Sequence, residues 1–370
     1  MAMLVSIVAQ AAADEYFVYF GTYTAKTSKG IHAYRFQPAT GKLTPLGVVA
    51  EGPNPSFLAT SPNRRYLYAV NWKGSETVKG DTVSAYQVDA RTGKLTFLNK
   101  VSSRGEMPTH LAVDQTGRML MTVNYGSGSV TSMSIGKDGR LSEPLSFDQH
   151  HGSSSVKGRQ DGPHAHDIVY SPDNRFAWVA DLGLDQVFSY RIDPGKATFT
   201  PNVPPVTKVS PGSGPRHLAF HPNGKFLYAN NEINSTIVVF SYDATGGVLK
   251  ELQTISTLPP GFSGSNSTAE IQTDPAGKFL YVSNRGHDSI AVFAIDSTQG
   301  TLTPVEHVST QGRTPRNFSL DQTGKYLFAA NENSDTVVLF RVDSNSGRLT
   351  PAGQVLDVPS PSCVIFLKAQ

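Results

Sequence analysis

Histidine, arginine and glutamate recur at equivalent places of a repeated phrase in this sequence, and together they could carry out acid–base chemistry on an anionic substrate. The set comprises His166, Arg216, Glu232, Arg285, Arg316 and Glu332. An imidazole or a carboxylate can accept a proton from an attacking water. Guanidinium groups stabilise negative charge that develops on an oxygen, and they bind carboxylates and phosphates through two parallel hydrogen bonds.

The phrase that carries these residues returns at intervals of about fifty residues, a period typical of repeat architectures. Its first copy spans residues 55–71, and each complete copy ends in Asn or Asp. Aromatic and β-branched residues on either side of a turn predict a hairpin of two strands, A and B. A second hairpin, C and D, follows around turns that contain Gly41, Gly93, Gly139, Gly195, Gly246, Gly300 and Gly347.

Four antiparallel strands in each repeat are typical of one propeller blade. The complete A–B phrase occurs six times, but the C–D turn occurs seven times. Residues 361–366 resemble a strand A with no strand B after it, and residues 17–22 resemble a strand B with no strand A before it. We therefore predict an all-β, seven-bladed β-propeller over residues 14–370, as a single domain. Pairing of the two chain ends would complete the last blade and remove an exposed sheet edge.

Comparison of the copies separates shared scaffold from variable positions at one mouth of the central channel. The Asn or Asp that ends strand B is uniform, which indicates a turn-capping role. Early in strand A the copies read Ser56, Thr109, His166, Arg216, Ala269 and Arg316, and the next position reads Phe57, His110, Asp167, His217, Glu270 and Asn317. Directly after strand B they read Trp72, Tyr125, Leu182, Glu232, Arg285 and Glu332.

Each of these residues also has a purely structural interpretation. Arg216 and Arg316 could form ion pairs with glutamates on neighbouring strands. We expect His110 and His217 to bind backbone within strand A. His164 and His166 could suggest a metal pair, but no third ligand stands at a suitable spacing, so we expect no metal. The pair at 150–151 lies in a Gly/Ser-rich loop, which favours solvated side chains or a lid.

Composition excludes several function classes. The net charge is +2 with 17% charged residues, and no basic block indicates nucleic-acid binding. The single cysteine, Cys363, excludes an internal disulfide framework and lies in an apolar run that predicts a buried thiol. No apolar stretch is long enough to span a membrane. Residues 1–13 are mostly apolar and end in Ala-Gln-Ala-Ala-Ala, which favours a truncated secretory signal over an N-terminal tag. The protein would be periplasmic or secreted in the first case and cytoplasmic in the second.

Several segments give the sequence a family resemblance that covers nearly the whole chain. They are Gly162-Pro-His-Ala-His166, Asp181-Leu-Gly-Leu-Asp185, Gly214-Pro-Arg-His-Leu218, Ser283-Asn-Arg-Gly-His-Asp-Ser-Ile290 and Tyr19-Phe-Gly-Thr-Tyr-Thr24. In these segments the chain resembles the bacterial lactonase family of seven-bladed propellers, which is related to 6-phosphogluconolactonase and includes carboxy-cis,cis-muconate cyclase in a fungal branch. The resemblance implies a lactone site of one His, two Arg and one Glu, which here are His166 or His164, Arg216, Glu232 and Arg285.

The resemblance implies hydrolysis of a sugar δ-lactone, with 6-phosphogluconolactone as the favoured substrate. His166 or Glu232 would act as the base and Arg216 or Arg285 would stabilise the carbonyl oxygen. We expect His164, Arg159, Arg316 and Glu332 to bind substrate, and we expect no cofactor. The alternatives are a muconate-type lactonising or isomerising enzyme and a non-catalytic binding propeller. The expected partner is a small-molecule lactone, without nucleic acid or membrane, and we expect a monomer.

Overall fold

Seven four-stranded antiparallel sheets make up the described part of the chain, which is residues 14–72 and 81–369 of a computed structural model. We number these blades I to VII, and the strands of each blade are A to D from the channel outwards. Blade I consists of β28 (Pro361–Lys368), β1 (Tyr16–Thr22), β2 (Gly30–Gln37) and β3 (Lys42–Glu51). The predicted all-β propeller, with its last blade closed by both chain ends, is confirmed because β28 pairs antiparallel with β1. The expected signal segment, residues 1–13, lies outside the described residues.

The other six blades are each continuous in sequence. Blade II contains β4 (Leu58–Thr60), β5 (Tyr66–Asn71), β6 (Thr82–Val88) and β7 (Leu95–Ser102). Blade III contains β8 (Pro108–Val113), β9 (Met119–Asn124), β10 (Ser129–Ser134) and β11 (Ser146–Gln149). Blade IV contains β12 (Ala165–Tyr170), β13 (Phe176–Asp181), β14 (Gln186–Asp193) and β15 (Thr198–Lys208).

Blades V to VII complete the ring. Blade V contains β16 (Pro215–Phe220), β17 (Phe226–Asn231), β18 (Thr236–Asp243) and β19 (Val248–Ser256). Blade VI contains β20 (Ser267–Thr273), β21 (Phe279–Arg285), β22 (Ser289–Ile295) and β23 (Leu302–Ser309). Blade VII contains β24 (Pro315–Leu320), β25 (Tyr326–Asn331), β26 (Thr336–Val342) and β27 (Leu349–Asp357). Within the described residues the one helical segment is a 3₁₀ turn over Glu332–Ser334.

The hydrophobic core lies between the blades, in seven clusters that each join two neighbouring sheets. Strand B of every blade is buried along almost its whole length, because both of its faces pack against adjacent blades. This explains the continuous apolar and aromatic character of these strands, which differs from the alternation of a half-exposed strand. Because strand B is buried on both faces, it gives a fixed support to strand A, which pairs with it and faces the channel.

In six of the seven blades, a glycine of the C–D turn packs against an aromatic ring of the preceding blade. The contact between blades VI and V is an example. Gly300 of the blade VI C–D turn has a left-handed φ of 74°, and a Cβ there would lie 2.4 Å from the Phe226 ring. The Tyr228 hydroxyl donates a hydrogen bond of 3.1 Å to the Gly300 carbonyl. Only glycine combines that backbone conformation with so close a ring. In the C–D turn of blade IV, Ala197 has the left-handed conformation and packs near Met119 instead of an aromatic ring.

The uniform Asn or Asp at the end of strand B binds backbone, as predicted, but not that of its own turn in most blades. Asn124, Asn284 and Asn331 each donate from Nδ2 to a carbonyl of the segment that arrives from the preceding blade, at 3.1, 2.9 and 3.1 Å. These bonds satisfy buried carbonyl groups where the chain passes from one blade to the next. The shared residue is therefore part of the scaffold that joins blades.

Candidate functional site

A β-bulge in strand A presents the first variable position to the channel. In blade IV, Ala165 pairs with Asp181 and Asp167 pairs with Ala180, so His166 has no partner in the ladder. The same register shift frees Arg216 in blade V and Arg316 in blade VII. A bulge leaves one extra residue outside the pairing and re-aims its side chain, which is why such irregularities are common beside active sites.

The bulged residues, together with Ser56 at the equivalent place of blade II, form a ring at one mouth of the channel; we call it the bulge ring. Around the seven blades the ring reads Ser362, Ser56, Thr109, His166, Arg216, Ala269 and Arg316. Ser362 belongs to the same set because it is the bulged residue of blade I. Three of the seven positions carry large ionisable groups and four carry small residues. The small residues leave room for a cavity of about 760 Å³, whose wall includes His166, Glu232, Arg285, Arg316 and Glu332.

Glu232 is the centre of the charged groups at this mouth. Its Oε2 accepts hydrogen bonds from Arg216 Nε at 3.0 Å and from Arg285 Nη2 at 2.7 Å, and its Oε1 accepts one from Arg159 Nη2. Burial would raise the pKa of the Glu232 carboxyl, but the attraction of Arg285, Arg216 and Arg159 outweighs burial and holds this pKa far below its usual range. Glu232 is therefore an ionised anchor for three guanidinium groups.

Two of these arginines are fixed by a second partner. Arg216 Nη1 donates to the Ala269 carbonyl at 2.7 Å, and Arg285 Nη2 donates to the Thr268 carbonyl at 2.8 Å. Arg159 differs, because it comes from the loop between blades III and IV and its side chain is 44% exposed. The cluster thus has two rigid cations from the propeller and one exposed cation from a loop.

His166 lies beside the cluster as a buried imidazole without a hydrogen-bond partner at Nδ1 among the described residues. Its ring centre is 5.2 Å from that of His217 and 5.5 Å from that of Tyr125. Burial, followed by the positive charge of Arg216, holds the pKa of His166 well below its ordinary value. The imidazole is therefore neutral at physiological pH, and its buried Nδ1 has no partner in the described part of the chain.

His164 occupies a different place from His166. Its Nδ1 lies 2.9 Å from the Tyr125 carbonyl, and its ring stacks on Tyr125 at 4.4 Å between centres. The cavity wall includes Tyr125 and His166 but not His164. The geometry thus favours His166 over His164 as the histidine that meets a ligand. Arg316 and Glu332, which also line the cavity, form their own pair at 3.5 Å, as the ion-pair interpretation predicted.

A second ring of residues closes the channel one position further along strand A. The expected backbone contact is present for His110, whose Nδ1 accepts a hydrogen bond of 3.4 Å from the Ile168 N–H, although from strand A of the neighbouring blade. Both His110 and His217 also face buried carboxyl groups. His110 Nδ1 lies 2.9 Å from Asp167 Oδ1, and His217 Nδ1 lies 3.2 Å from Glu270 Oε2. The hydrogen bonds that these buried carboxyl groups require come from other residues: Asp167 Oδ2 accepts one of 2.7 Å from the Leu218 N–H, and Glu270 Oε2 accepts one from Asn317 Nδ2. Burial and the nearby Asp167 raise the pKa of Glu270 to about 8.

This second ring separates two cavities. The centre of the Phe57 ring lies 3.9 Å from that of His110 and 5.9 Å from that of His217. The three rings together fill the centre of the channel. A cavity of about 310 Å³ lies on the far side and is lined by Phe57, Glu270 and Cys363 among others. Cys363 is buried, as predicted. The site at the first mouth is consequently a closed-ended pocket instead of an open pore.

The prediction for the loop histidines was wrong for His150. Its side chain is fully buried, with Nδ1 2.6 Å from Asp181 Oδ2 and Nε2 2.8 Å from the Tyr190 hydroxyl. The ring stacks on Phe188 at 3.6 Å. The loop begins by packing against blade IV, and this anchors the segment that delivers Arg159 to Glu232.

Three further cavity residues were not selected from the sequence: Trp72 was placed at the channel mouth without a role, and Tyr23 and Lys26 were not considered. Tyr23 follows strand B of blade I and is therefore the seventh member of the position that contains Trp72 and Glu232. Extending the comparison to the blade split between the chain ends would have identified Tyr23 and Ser362. Lys26 lies in the loop after Tyr23 and has no equivalent in a repeat, so no signal marked it.

Other classes of site receive no support from the described part of the chain. It contains no group of three or more His, Cys, Asp or Glu residues placed to hold a metal ion. No helix within it combines the length and apolar character that crossing a bilayer would require.

The fold and the site together define a class: a seven-bladed propeller with a closed-ended, arginine-rich pocket beside a neutral buried histidine. Sequence comparison agrees, since residues 17–366 match the family described as "Lactonase, 7-bladed beta-propeller". The chain belongs to this lactonase family, as its sequence resemblance predicted, and it is a lactone-hydrolysing enzyme by that membership.

Individual relatives cover most of the chain. A 6-phosphogluconolactonase of Bacillus subtilis (strain 168) is 37% identical over 305 residues, which are 82% of this chain and 84% of the relative. A 6-phosphogluconolactonase of Formosa agariphila is 34% identical over 307 residues, 82% of this chain and 86% of the relative. Among solved structures, the periplasmic gluconolactonase of Pseudomonas aeruginosa superposes with a TM-score of 0.91 at 35% identity, covering 96% of this chain and 100% of that chain.

Proposed function

We propose that this lactonase hydrolyses 6-phosphogluconolactone to 6-phosphogluconate, with His166 as the base. The observation that carries the proposal is the grouping of three guanidinium groups around Glu232. One of them, Arg285, lines a cavity of about 760 Å³ together with Glu232 and the neutral imidazole of His166. Relatives named 6-phosphogluconolactonase at 37% and 34% identity support the same substrate.

Hydrogen-bond partners distinguish the two residues that the sequence left open as the base. Both oxygens of Glu232 accept hydrogen bonds from arginines, so its carboxylate is occupied in holding them. His166 is neutral and has an unpartnered Nδ1. We therefore assign Glu232 to positioning the arginines and His166 to accepting the proton.

The reaction then proceeds in two balanced steps. A water oxygen attacks the acyl carbon while its proton passes to His166, and the carbonyl oxygen becomes an oxyanion. Arg216 and Arg285 would stabilise that charge, since both guanidinium groups are held rigidly before the reaction begins. When the ring C–O bond breaks, the imidazolium returns its proton to the departing alkoxide. The product is the open-chain hydroxy acid.

The phosphate group needs positive charge that the reaction centre does not use. Arg316 and Lys26 line the same cavity. The Arg316 guanidinium lies 3.5 Å from Glu332, a longer separation than the 2.7 and 3.0 Å of the arginine bonds to Glu232. Arg159 has an exposed side chain and approaches from the loop. We assign the phosphate to Arg316, with Lys26 and Arg159 adding positive potential around it.

The decisive test is the rate of acid release by purified protein with 6-phosphogluconolactone, gluconolactone and muconolactone, each corrected for spontaneous hydrolysis. The proposal expects the highest kcat/KM for 6-phosphogluconolactone. Preference for gluconolactone would place the chain with the gluconolactonase it resembles in structure, and preference for muconolactone would favour the muconate-type alternative. No turnover of any of the three would overturn the proposal.

A further inference from the structure

The pocket mouth has two chemically different halves. The position directly after strand B reads, around the seven blades, Tyr23, Trp72, Tyr125, Leu182, Glu232, Arg285 and Glu332. Three successive blades therefore supply aromatic rings, and three others supply charged groups. Tyr23, Trp72 and Tyr125 all line the cavity that also contains His166. The charged half was assigned above, whereas the aromatic half has no part in the reaction steps.

Specific contacts fix the aromatic rings in place. Trp72 Nε1 donates a hydrogen bond of 3.1 Å to Ser56 Oγ, which belongs to the bulge ring. Trp72 meets Tyr23 edge to face, with 5.7 Å between ring centres and 69° between planes. Tyr125 is held flat against His164, with an angle of 13° between the rings. The rings thus form a pre-organised wall that loses little rotamer entropy when a ligand binds.

A six-membered sugar lactone matches such a two-sided mouth. Its hydroxyl, carbonyl and phosphate groups project from the ring edge and require polar partners. The ring face carries C–H groups, which gain from contact with an aromatic surface by apolar burial and dispersion. An open-chain product has no such face, so hydrolysis itself would remove this part of the binding energy.

We propose that Tyr23, Trp72 and Tyr125 bind the intact ring of the lactone, and that Trp72 determines specificity for cyclic over open-chain ligands. The proposal rests on the proposed function for the identity of the substrate. It assigns to the aromatic half the task of binding the ring face of the lactone and of releasing the product once the ring opens. Trp72 is here a specificity-determining residue that takes no proton.

Tryptophan fluorescence tests this directly, without turnover. The chain has two tryptophans, and Trp178 is only 1% exposed within the core, so quenching by acrylamide reports mainly on Trp72. Glucose 6-phosphate retains the ring and the phosphate but lacks the acyl group, whereas 6-phosphogluconate is open. We expect glucose 6-phosphate to protect Trp72 from acrylamide at least about threefold more strongly than 6-phosphogluconate at equal saturation. The protection should vanish in the Trp72→Phe variant, which lacks the reporting indole.

Kinetics provide an independent readout. Trp72→Leu should raise KM for the lactone about tenfold with kcat nearly unchanged, because stacking favours substrate and transition state alike. Trp72→Phe, which retains an aromatic face, should raise KM by no more than about threefold. Phe97→Leu is the matched control, since Phe97 is 54% exposed on blade II outside the pocket, and it should leave KM unaltered.

The possible outcomes separate this inference from the proposed function. Equal protection by the cyclic and open ligands, or equal KM values for the Leu and Phe variants, would overturn the aromatic-wall proposal even if the lactonase is active. Ring-dependent protection in a protein that fails to hydrolyse 6-phosphogluconolactone would support the wall and refute the substrate assignment.

Discussion

Replacing Glu232 with glutamine should destabilise the protein and disable it for the same physical reason. The carboxylate accepts bonds from three arginines, two of them at 3.0 and 2.7 Å, and its side chain is only 10% exposed. At an effective dielectric constant near 20, two unit charges about 4 Å apart interact by about 4 kcal/mol. Glutamine retains the shape but removes the charge, so three neighbouring cations would lose their counter-ion.

The expected loss of stability follows from measured costs of such changes. Removing one partner of a buried ion pair costs about 3–5 kcal/mol. Unfolding entropy near 2.1 cal/mol/K per residue gives about 0.8 kcal/mol/K for a chain of this size, so Tm should fall by about 4–6 °C. Because the freed guanidinium groups can bind anions, added phosphate should restore part of that Tm difference in Glu232→Gln more than in the parent protein.

Glu332→Gln provides the matched control. Glu332 pairs with Arg316 at 3.5 Å, and both side chains are more than a fifth exposed. Partly exposed pairs contribute about 0–1 kcal/mol, so its Tm should change by less than about 2 °C. The measurements are the Tm and the initial rate of lactone hydrolysis of both variants. Glu232→Gln should also lower kcat/KM by about 10²- to 10³-fold, since the arginines lose their alignment. A Glu232→Gln protein as stable as Glu332→Gln would refute the anchor role.

Four further predictions concern the remaining groups. Arg285→Ala should reduce kcat/KM for the lactone by about 10²- to 10³-fold in initial-rate assays, whereas Arg313→Ala, on the exposed surface, should not; near-normal turnover by Arg285→Ala would remove it from the reaction centre. Arg316→Ala should raise KM for 6-phosphogluconolactone about tenfold or more and leave gluconolactone nearly unaffected, and equal effects on both substrates would exclude a phosphate role. Because the pKa of His166 lies well below its ordinary value, kcat/KM should be level between about pH 6 and 8 and fall only at lower pH, as the imidazole becomes protonated; a decline centred near neutrality would contradict the assignment. Glu270 has a folded-state pKa raised from 4.5 to about 8, so the folded protein binds the extra proton and loses stability as pH rises through that range. Urea unfolding of Glu270→Gln should lack this loss, which amounts to at most about 1.4 kcal/mol per pH unit in the parent, and identical pH slopes would show that Glu270 is already ionised.

The fold could be predicted because its signals are local and repeated. Turn glycines, aromatic strands and a period of about fifty residues are each visible in a short window, and the seventh C–D turn indicated the split blade. The position of the site followed from the same regularity, since equivalent residues of successive blades must meet at one mouth. His166, Arg216, Glu232 and Arg285 were selected in that way, and the structure brings all four together.

The remaining features depend on contacts that no repeat encodes. Arg159 reaches Glu232 because two hydrogen bonds anchor its loop. The Gln160 side chain donates a hydrogen bond of 2.8 Å to the Leu182 carbonyl, and the Ser154 hydroxyl donates one to the Asp185 carboxylate. The burial of His150 has the same origin in loop packing. The sequence also could not rank Glu232 against His166 as the base, because the ranking depends on the arginine contacts that occupy both oxygens of Glu232 and on the burial of His166.

The bulged position of strand A has a further consequence for how this protein can change. A residue in the ladder must satisfy its pairing partner and its packing, but the extra residue of a bulge contributes no cross-strand pair. Ser362, Thr109 and Ala269 occupy this position in other blades without loss of the sheet. Six of the seven blades show such an irregularity in strand A, and each therefore offers a channel-facing position that can be exchanged. A new activity could arise by exchanging a few side chains at these positions, while the blades that hold them stay the same.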